Sequence, residues 1–312
     1  MVLTFEPQRA FITDRIERVL EEIFNQPPIV FRIPGNSYGW GGVMFVTGNM
    51  QTIQHQLDQN ARLADYIQQL QESYPLQVSH TTKVITDDWP YFYLESAKIP
   101  VLYYLLVGLM IVVFIRSNRK WESNISMSSL NRIFWHFFLL GAGFLLLEVQ
   151  NISKASVVLG NTWQVNAVII SSILAMALLA NWITYKFPKM PLTPVYFLLI
   201  GTCLALYFID LARFGFLPYP LKATIVGTLT SLPMLFSGIV FVRSFAIAQD
   251  KSNALGANLI GALVGALLQS ITFVTGIKAL LLVVAGFYLL SLFTAPAQTK
   301  EQLIQEFANK ST

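Results

Sequence analysis

The sequence has 312 residues, of which 54% are hydrophobic and only 12% are charged, about half the charged fraction of an ordinary soluble domain. Residues 1–98 carry seven Lys or Arg and eleven Asp or Glu, whereas the remainder carries fourteen and six. A mildly acidic soluble portion is therefore joined to a basic, very apolar portion. The basic residues flank apolar segments and do not gather on one soluble face, which argues against nucleic-acid binding. The single cysteine, Cys203, excludes an intrachain disulfide.

Short alternating elements are expected in residues 1–98. The segment "VLTF" (2–5) predicts a strand, 13–24 a helix with Thr13 as N-cap, and "IVFRI" and "VMFVTG" two more strands joined by a Pro- and Gly-rich loop. Residues 50–73 predict one polar amphipathic helix. This order makes an incomplete α/β sheet, in which the first strand needs a parallel neighbour that the chain lacks. The N-terminus therefore looks cut.

Seven apolar stretches follow, each close to the roughly 20 residues that a helix needs to cross a bilayer core of about 30 Å. They are 99–115, 133–150, 162–183, 193–212, 222–247, 254–274 and 277–295. Buried helices of a soluble protein would need more polar surface than this. The predicted fold class is mainly α. A polytopic transmembrane helical domain of about seven spans (99–296) follows a truncated α/β Rossmann-like segment (1–98) and precedes a polar C-terminal tail (297–312).

The segment "TDDWPYFYL" (86–94) lies where the two portions meet. Adjacent residues of an extended segment point to opposite sides, so Asp87 and Asp88 cannot converge as a metal pair or an acid–base pair. An acidic residue before Trp-Pro favours a turn instead, with Thr86 or Asp88 bonding nearby backbone amides. Three aromatic side chains have the amphipathic character of rings at a bilayer interface: Trp89, Tyr91 and Tyr93. The segment is interpreted as a junction.

Ionisable and amide side chains inside the apolar stretches are the candidate polar site of the membrane domain: Glu148, Asn151, Lys154, Asn166 and Asn258. An ionisable group within a span costs a few kcal/mol and is a functional candidate. Alternatively, Glu148 lies at the interface and pairs with Lys154, and Asn166 makes an interhelical hydrogen bond. His136 is interpreted as an interfacial side chain.

Small residues at four-residue spacing predict close helix packing in the sixth stretch: Ala257, Gly261 and Gly265. Pro233 removes a backbone donor and is expected to kink the fifth stretch. His55 and His80 lack metal-ligand spacing, so no metal site is expected.

The segments "VLTFEPQRAFITDRIERVLEEIF" and "YGWGGVMFVTG" resemble the last third of a spermidine-synthase-like Rossmann domain of the S-adenosylmethionine type. In that family a final strand and helix precede an edge hairpin with a Tyr-, Gly- and Trp-rich loop. "TDDWPYFYLESAKIP" and residues 137–181 resemble the members fused to a membrane domain. The resemblance implies transfer of an aminopropyl or methyl group from S-adenosylmethionine or its decarboxylated form. The family's cofactor-binding and catalytic elements would precede residue 2, so none of these residues is assigned here.

Three functions stay open at this point. The chain could be the membrane portion of such a transferase, anchoring it and supplying a small amine or apolar substrate. It could be a transporter or channel, in which Glu148, Asn166 and Asn258 converge. It could also be a structural membrane subunit whose missing Rossmann half is on a separate chain. The expected location is a bacterial inner membrane. The excess of Lys and Arg places residues 1–98 outside, whereas a transferase domain belongs in the cytoplasm.

Overall fold

The computed structural model describes residues 1–37, 39–76, 79–119, 132–160 and 162–295. The polar tail predicted for 297–312 lies outside these residues. The chain divides into two compact units, the first comprising Met1–Lys98 and the second beginning at Ile99. The two are called the soluble unit and the helical unit below.

The soluble unit contains a small sheet and three helices. Its elements are β1 (Val2–Phe5), α1 (Ala10–Phe24), β2 (Ile29–Ile33), β3 (Gly42–Val46), α2 (Met50–Gln59) and α3 (Ala61–Ser73). The strand order is β1-β3-β2, and β3 is antiparallel to both neighbours. β1 is an edge strand whose partner among the described residues is the antiparallel β3, so the expectation that its other edge needs a parallel neighbour stays a prediction.

The core of this unit lies between α1 and β3. Ile12, Ile16 and Leu20 recur on one face of α1 and pack against Val43 and Phe45, which are completely buried. This burial is what fixes the amphipathic helix on the sheet.

Two predicted helix boundaries differ in the structure. The first helix begins at Ala10, so Thr13 is a buried helical residue and not an N-cap. Residues 50–73 form two helices, because Asn60 leaves the helical conformation and its side chain accepts a hydrogen bond from the amide of Leu63 at 3.1 Å. That bond starts α3 as a new, capped helix.

The helical unit contains eight α-helices within the described residues. They are α4 (Val101–Arg119), α5 (Arg132–Leu159), α6 (Trp163–Lys186), α7 (Leu192–Phe208), α8 (Tyr219–Ile247), α9 (Lys251–Leu268), α10 (Thr272–Thr275) and α11 (Ala279–Thr294). Four helical segments are long and apolar enough to cross a membrane: α5, α6, α8 and the segment from α9 through α10. Three apolar helices are shorter than these four segments: the apolar part of α4, the whole of α7 and the whole of α11. The fold is therefore mainly helical with four candidate spans, and a total of seven stays a prediction.

The outer surface of α6 has the pattern of a lipid-facing helix. Ile170, Leu174 and Leu178 are exposed, and exposed tryptophans, Trp163 and Trp182, lie before and after them. The two tryptophans are about 28 Å apart along the helix axis, close to the thickness of a bilayer core. Indole rings favour the two membrane interfaces, so this surface is compatible with a multi-pass membrane protein.

Four helices form a ring in the helical unit. α5 packs against both α8 and α11, and α7 packs against the same two helices. On the outside of the ring, α6 packs against α8, and α9 packs against α5.

The packing of α9 on α5 depends on small residues. Ala257 is buried, and a Cβ atom added at Gly261 would overlap the carbonyl oxygen of Phe138. At Gly265 the added atom would lie 2.6 Å from the carbonyl oxygen of Ala142. The two backbones approach this closely because no side chains separate them.

Candidate functional site

Two lysines bind the carboxyl ends of helices at one end of the ring. Lys154 of α5 donates a hydrogen bond to the carbonyl of Leu206 in the last turn of α7. Lys222 of α8 donates to the carbonyl of Val158 in the last turn of α5, at 3.1 Å. The last carbonyls of a helix lack intrahelical donors and carry partial negative charge, which explains why cations lie here. α5 and α7 therefore end on the side where α8 begins.

A hydrogen-bonded network joins all four helices at the other end of the ring. The Nε2 atom of His136 (α5) lies 2.8 Å from Oγ of Ser244 (α8), and Nδ1 lies 3.0 Å from the carbonyl oxygen of Ser291 (α11). The hydroxyl of Tyr196 (α7) lies 3.0 Å from Oγ of Ser291. All four side chains are completely buried. The interpretation of His136 as interfacial is therefore wrong, because its imidazole is buried between the helices and bonds to α8 and α11.

The geometry also places a proton on Nδ1 of His136. A carbonyl oxygen can only accept a hydrogen bond, so Nδ1 carries the proton that is donated to Ser291. Nε2 faces the hydroxyl of Ser244, which can either donate to it or accept from it. The histidine therefore has a partner at both ring nitrogens, as a buried polar group requires.

The same face of α5 carries two further positions at seven-residue intervals, Gly143 and Gln150. Seven residues are nearly two helical turns, so the three positions share a face and are about 10.5 Å apart. The ring of Tyr288 (α11) packs at Gly143, where an added Cβ would lie 3.1 Å from its carbon atoms. Glycine leaves the space that this tyrosine occupies.

α8 carries a matching series at the same spacing: Ser244, Ser237 and Thr230. Ser237 Oγ lies 2.8 Å from the hydroxyl of Tyr288, and Thr230 is completely buried. The contacts of His136 with Ser244 and of Val158 with Lys222 fix the antiparallel register of α5 and α8. In this register Gln150 is level with Thr230.

The two series form a polar column inside the ring. From His136 to Gln150 the column is about 21 Å long, against about 30 Å for the hydrocarbon core of a bilayer. No single residue type marks it in the sequence. The signal is the coincidence of two heptad series about 90 residues apart, one with polar residues at its two ends on α5 and one of three hydroxyl residues on α8.

The deep end of the column contains polar atoms that the protein does not satisfy. Gln150 and Asn151 are completely buried, and both atoms of each carboxamide lack a hydrogen-bond partner within the described residues. Oγ of the buried Ser231 on α8 lacks one too. Each such group costs about 1–3 kcal/mol when it is left unbonded, so this arrangement is unfavourable for a purely structural core.

The structure separates the five residues of the predicted membrane site. Asn151 and Lys154 face the ring, and Glu148 is half-buried near them on α5. Asn166 is exposed on the outside of α6, and Asn258 on α9 donates to a backbone carbonyl at the start of α5. The predicted convergence of Glu148, Asn166 and Asn258 is therefore wrong, because the three side chains lie on different helices and at different heights.

In the soluble unit, Arg15 holds the segment 79–95 that contains the predicted junction. Its side chain is completely buried in α1. It donates hydrogen bonds to five backbone carbonyls, those of Lys83 (2.9 Å), Tyr91 (3.3 Å), Phe92, Leu94 (2.8 Å) and Glu95 (3.3 Å). A planar guanidinium suits this task because its donors diverge in fixed directions.

The neighbouring Asp14 binds the same segment through amides and hydroxyls. It accepts hydrogen bonds from the amide of Thr82 at 2.9 Å, from the amide of His80, and from the hydroxyl of Ser79. Burial raises the pKa of Asp14, but the hydrogen bonds from Thr82, His80 and Ser79 outweigh it and lower the pKa below its usual 3.8. Sequence patterns missed both charged residues because their partners are more than 60 positions away.

Trp89 is buried in the soluble unit, with only 2% of its surface exposed. Its ring lies under the Arg15 guanidinium at 5.3 Å and the Lys83 ammonium at 4.6 Å. The interpretation of Trp89 as a ring at a bilayer surface is therefore wrong. Tyr91 is half-buried and packs edge-on against Trp89, whereas Tyr93 is exposed.

The acidic pair of the junction lies in a turn. The amide of Trp89 donates to Oγ1 of Thr86 at 3.0 Å, which is the bond predicted for one of the two candidate side chains. Asp87 is exposed and Asp88 half-buried. Within the described parts of the chain, no three His, Cys, Asp or Glu residues are grouped so that they could hold a metal ion.

No family model matches the chain, and comparisons with curated proteins and with solved structures find no significant match. The fold and the site thus define a mainly helical protein with membrane-spanning character, a small antiparallel sheet and a buried polar column.

Proposed function

We propose that this chain is the membrane portion of a transferase similar to spermidine synthases, in which the helical unit anchors the soluble unit and supplies its substrate. One observation supports this most. The soluble unit has the order strand, helix and hairpin, and the loop of the hairpin includes Gly39, Trp40 and Gly41. The resemblance implies this order and this kind of loop. The position of β3 between β1 and β2 makes the two outer strands parallel, joined through α1.

In this proposal the donor, S-adenosylmethionine or its decarboxylated form, binds to a Rossmann half on the same or another chain. The residues of this chain supply the substrate and anchor the protein in the bilayer. The three shorter apolar helices complete a set of seven spans in a bacterial inner membrane. Many exposed apolar side chains on α4 support its placement in lipid.

The test is photo-crosslinking of radiolabelled S-adenosylmethionine and its decarboxylated form to the native protein, captured with an antibody against residues 297–312. The expected result is label on the captured polypeptide or on a partner that co-purifies with it. Absence of label from both, with a known methyltransferase labelled in parallel, would refute the proposal.

A second candidate function is the passage of a small polar solute through the helical unit. The polar column favours it, because a buried row of polar groups about 21 Å long crosses most of a bilayer's apolar thickness. Uptake of labelled solutes into proteoliposomes tests it. His136→Phe should abolish uptake, whereas Asn166→Leu, on the outer surface of α6, should leave it unchanged. Equal uptake in the two variants and in empty liposomes would exclude this function.

A further inference from the structure

A groove of about 730 Å³ lies in the soluble unit where α3 packs on β2. Its apolar lining comes from four segments: Ile29 lies on β2, Leu57 on α2, Ile67 on α3, and Leu76 in the segment that follows α3. All four side chains are half-buried. A cavity of this size is in the range that small organic ligands occupy in proteins.

The walls of the groove are fixed by contacts within the soluble unit. Nε2 of Gln71, which also lines the groove, donates a hydrogen bond to the carbonyl oxygen of Val30 at 2.9 Å and so joins α3 to β2. The side chain of Val30 packs against the core between α1 and β3. The groove is therefore already formed in the protein without a ligand, as binding sites for small molecules usually are.

Glu17 of α1 contributes a carboxyl group to this lining. The side chain is half-buried, and its Oε2 atom is completely buried with no hydrogen-bond partner in the described residues. Burial raises the pKa of Glu17 above its usual 4.5; the nearby His80 offsets this only in part, and Asp14 and Glu21 add to the rise. The ionised carboxyl group is therefore destabilised in its surroundings, and a cation beside it would stabilise it.

The described protein does not itself supply that cation. Arg15 and Arg18 of α1 both donate to backbone carbonyls of the segment 79–95. No Lys or Arg is among the residues that line the groove in the described part of the chain. His80 does line it, but its side chain is exposed, so solvent and salt screen its charge from Glu17.

We propose that this groove binds a small organic cation that has one positively charged group and an apolar body. The charged group pairs with Glu17, and the apolar body lies against Ile29, Leu57 and Ile67. An anion would be repelled by the carboxylate, and a neutral ligand would leave it without a countercharge. Glu17 is the one carboxylate in the lining as described, so a second charged group on the ligand would gain no partner there. This inference concerns the soluble unit alone and does not depend on the transferase proposal.

The experiment titrates the full chain in a non-ionic detergent with benzylammonium. Benzyl alcohol and benzoate are the comparison probes, since they carry the same ring but differ in charge. Isothermal titration calorimetry measures the three affinities. The wild type should bind benzylammonium at least tenfold more tightly than either of the others. Glu17→Gln should remove this preference, whereas Glu22→Gln, at an exposed position of the same helix, should retain it.

Ala64→Phe tests the cavity separately from the charge. Ala64 lines the groove on α3, and a phenylalanine there would occupy the space that the ring of the probe needs. Binding of benzylammonium should weaken at least fivefold. Ala61→Phe, at an exposed position one turn earlier on the same helix, should leave it unchanged, which also excludes uptake of the probe by detergent as the cause of the signal.

Four results would overturn the proposal. They are equal binding of the three probes by the wild type, no binding of benzylammonium, the same preference in Glu17→Gln as in Glu22→Gln, and the same affinity in Ala64→Phe as in Ala61→Phe.

Discussion

Arg15→Met should release the segment 79–95 from α1. Methionine retains an unbranched apolar stem but removes the guanidinium from the five carbonyls that it binds. Hydrogen bonds to charged donors contribute about 1.5–3 kcal/mol each. The two bonds of ordinary length below 3 Å, to Lys83 and Leu94, therefore account for about 3–6 kcal/mol. This loss is comparable to much of the total stability of a small domain.

The assay is hydrogen–deuterium exchange measured by mass spectrometry on the full chain in detergent. A loss of about 3 kcal/mol increases the open population of the segment, and its exchange rate, by roughly 150-fold. Peptides from β3 should change much less if the segment opens locally. Trp89, which packs under the guanidinium, should become accessible to a water-soluble quencher or oxidant.

Arg32→Met is the matched control. Arg32 is an exposed arginine that forms a salt bridge with Glu6 at 3.2 Å, and such surface pairs contribute about 0–1 kcal/mol. If Arg15→Met and Arg32→Met accelerate exchange in 79–95 to the same small extent, the guanidinium does not hold the segment and the reasoning fails.

Three further predictions concern stability. Asp14→Asn should flatten the acid-induced opening of the segment it binds, because its lowered pKa contributes stability that is lost as pH falls below 3.8; identical exchange–pH profiles would contradict this. Gly261→Ala should lower the thermal midpoint by forcing α9 off α5, whereas Gly256→Ala, which meets open space, should raise it slightly; equal shifts would contradict the close approach. Lys154→Met should destabilise the helical unit by about 1–3 kcal/mol, because the carbonyl of Leu206 at the end of α7 loses its hydrogen-bond donor. Lys251→Met, at a helix N-terminus, should be neutral or stabilising. If both variants are destabilised equally, binding of a helix-end carbonyl does not explain the effect of Lys154.

Short-range patterns predicted the elements of the soluble unit better than their pairing. Apolar alternation located β2 at its observed residues, and a strand was expected at 2–5 where β1 lies. Which strand lies beside β1 depends on how the β2–β3 hairpin returns, and hydropathy carries no information about that. The break at Asn60 was missed because the apolar positions of α2 and α3 continue one stripe across it.

The interior of the helical unit was predicted less well for a similar reason. Glu148 and Lys154 were predicted to belong to a site because charged side chains are rare in an apolar stretch. His136 was assigned to the interface because it lies one turn from a helix end, yet its partners are on α8 and α11, more than 100 residues away. Trp89 was assigned to the bilayer by proximity to a span, whereas Arg15 and Lys83 enclose it. In each case a residue's chemistry was visible and its partner was not.

The polar column has three levels, and they are not equivalent. At the first, His136 and Ser244 bond to each other, and at the second, Ser237 bonds to Tyr288. These closed levels hold helices together, although apolar residues of similar volume often pack as stably. At the third, Thr230 bonds within its own helix and leaves Gln150 unsatisfied. A structural explanation suffices for the two closed levels but predicts an apolar residue at the third. A buried carboxamide at this level needs a hydrogen-bond partner from outside the described protein, and a buried water molecule would supply one as well as a ligand would.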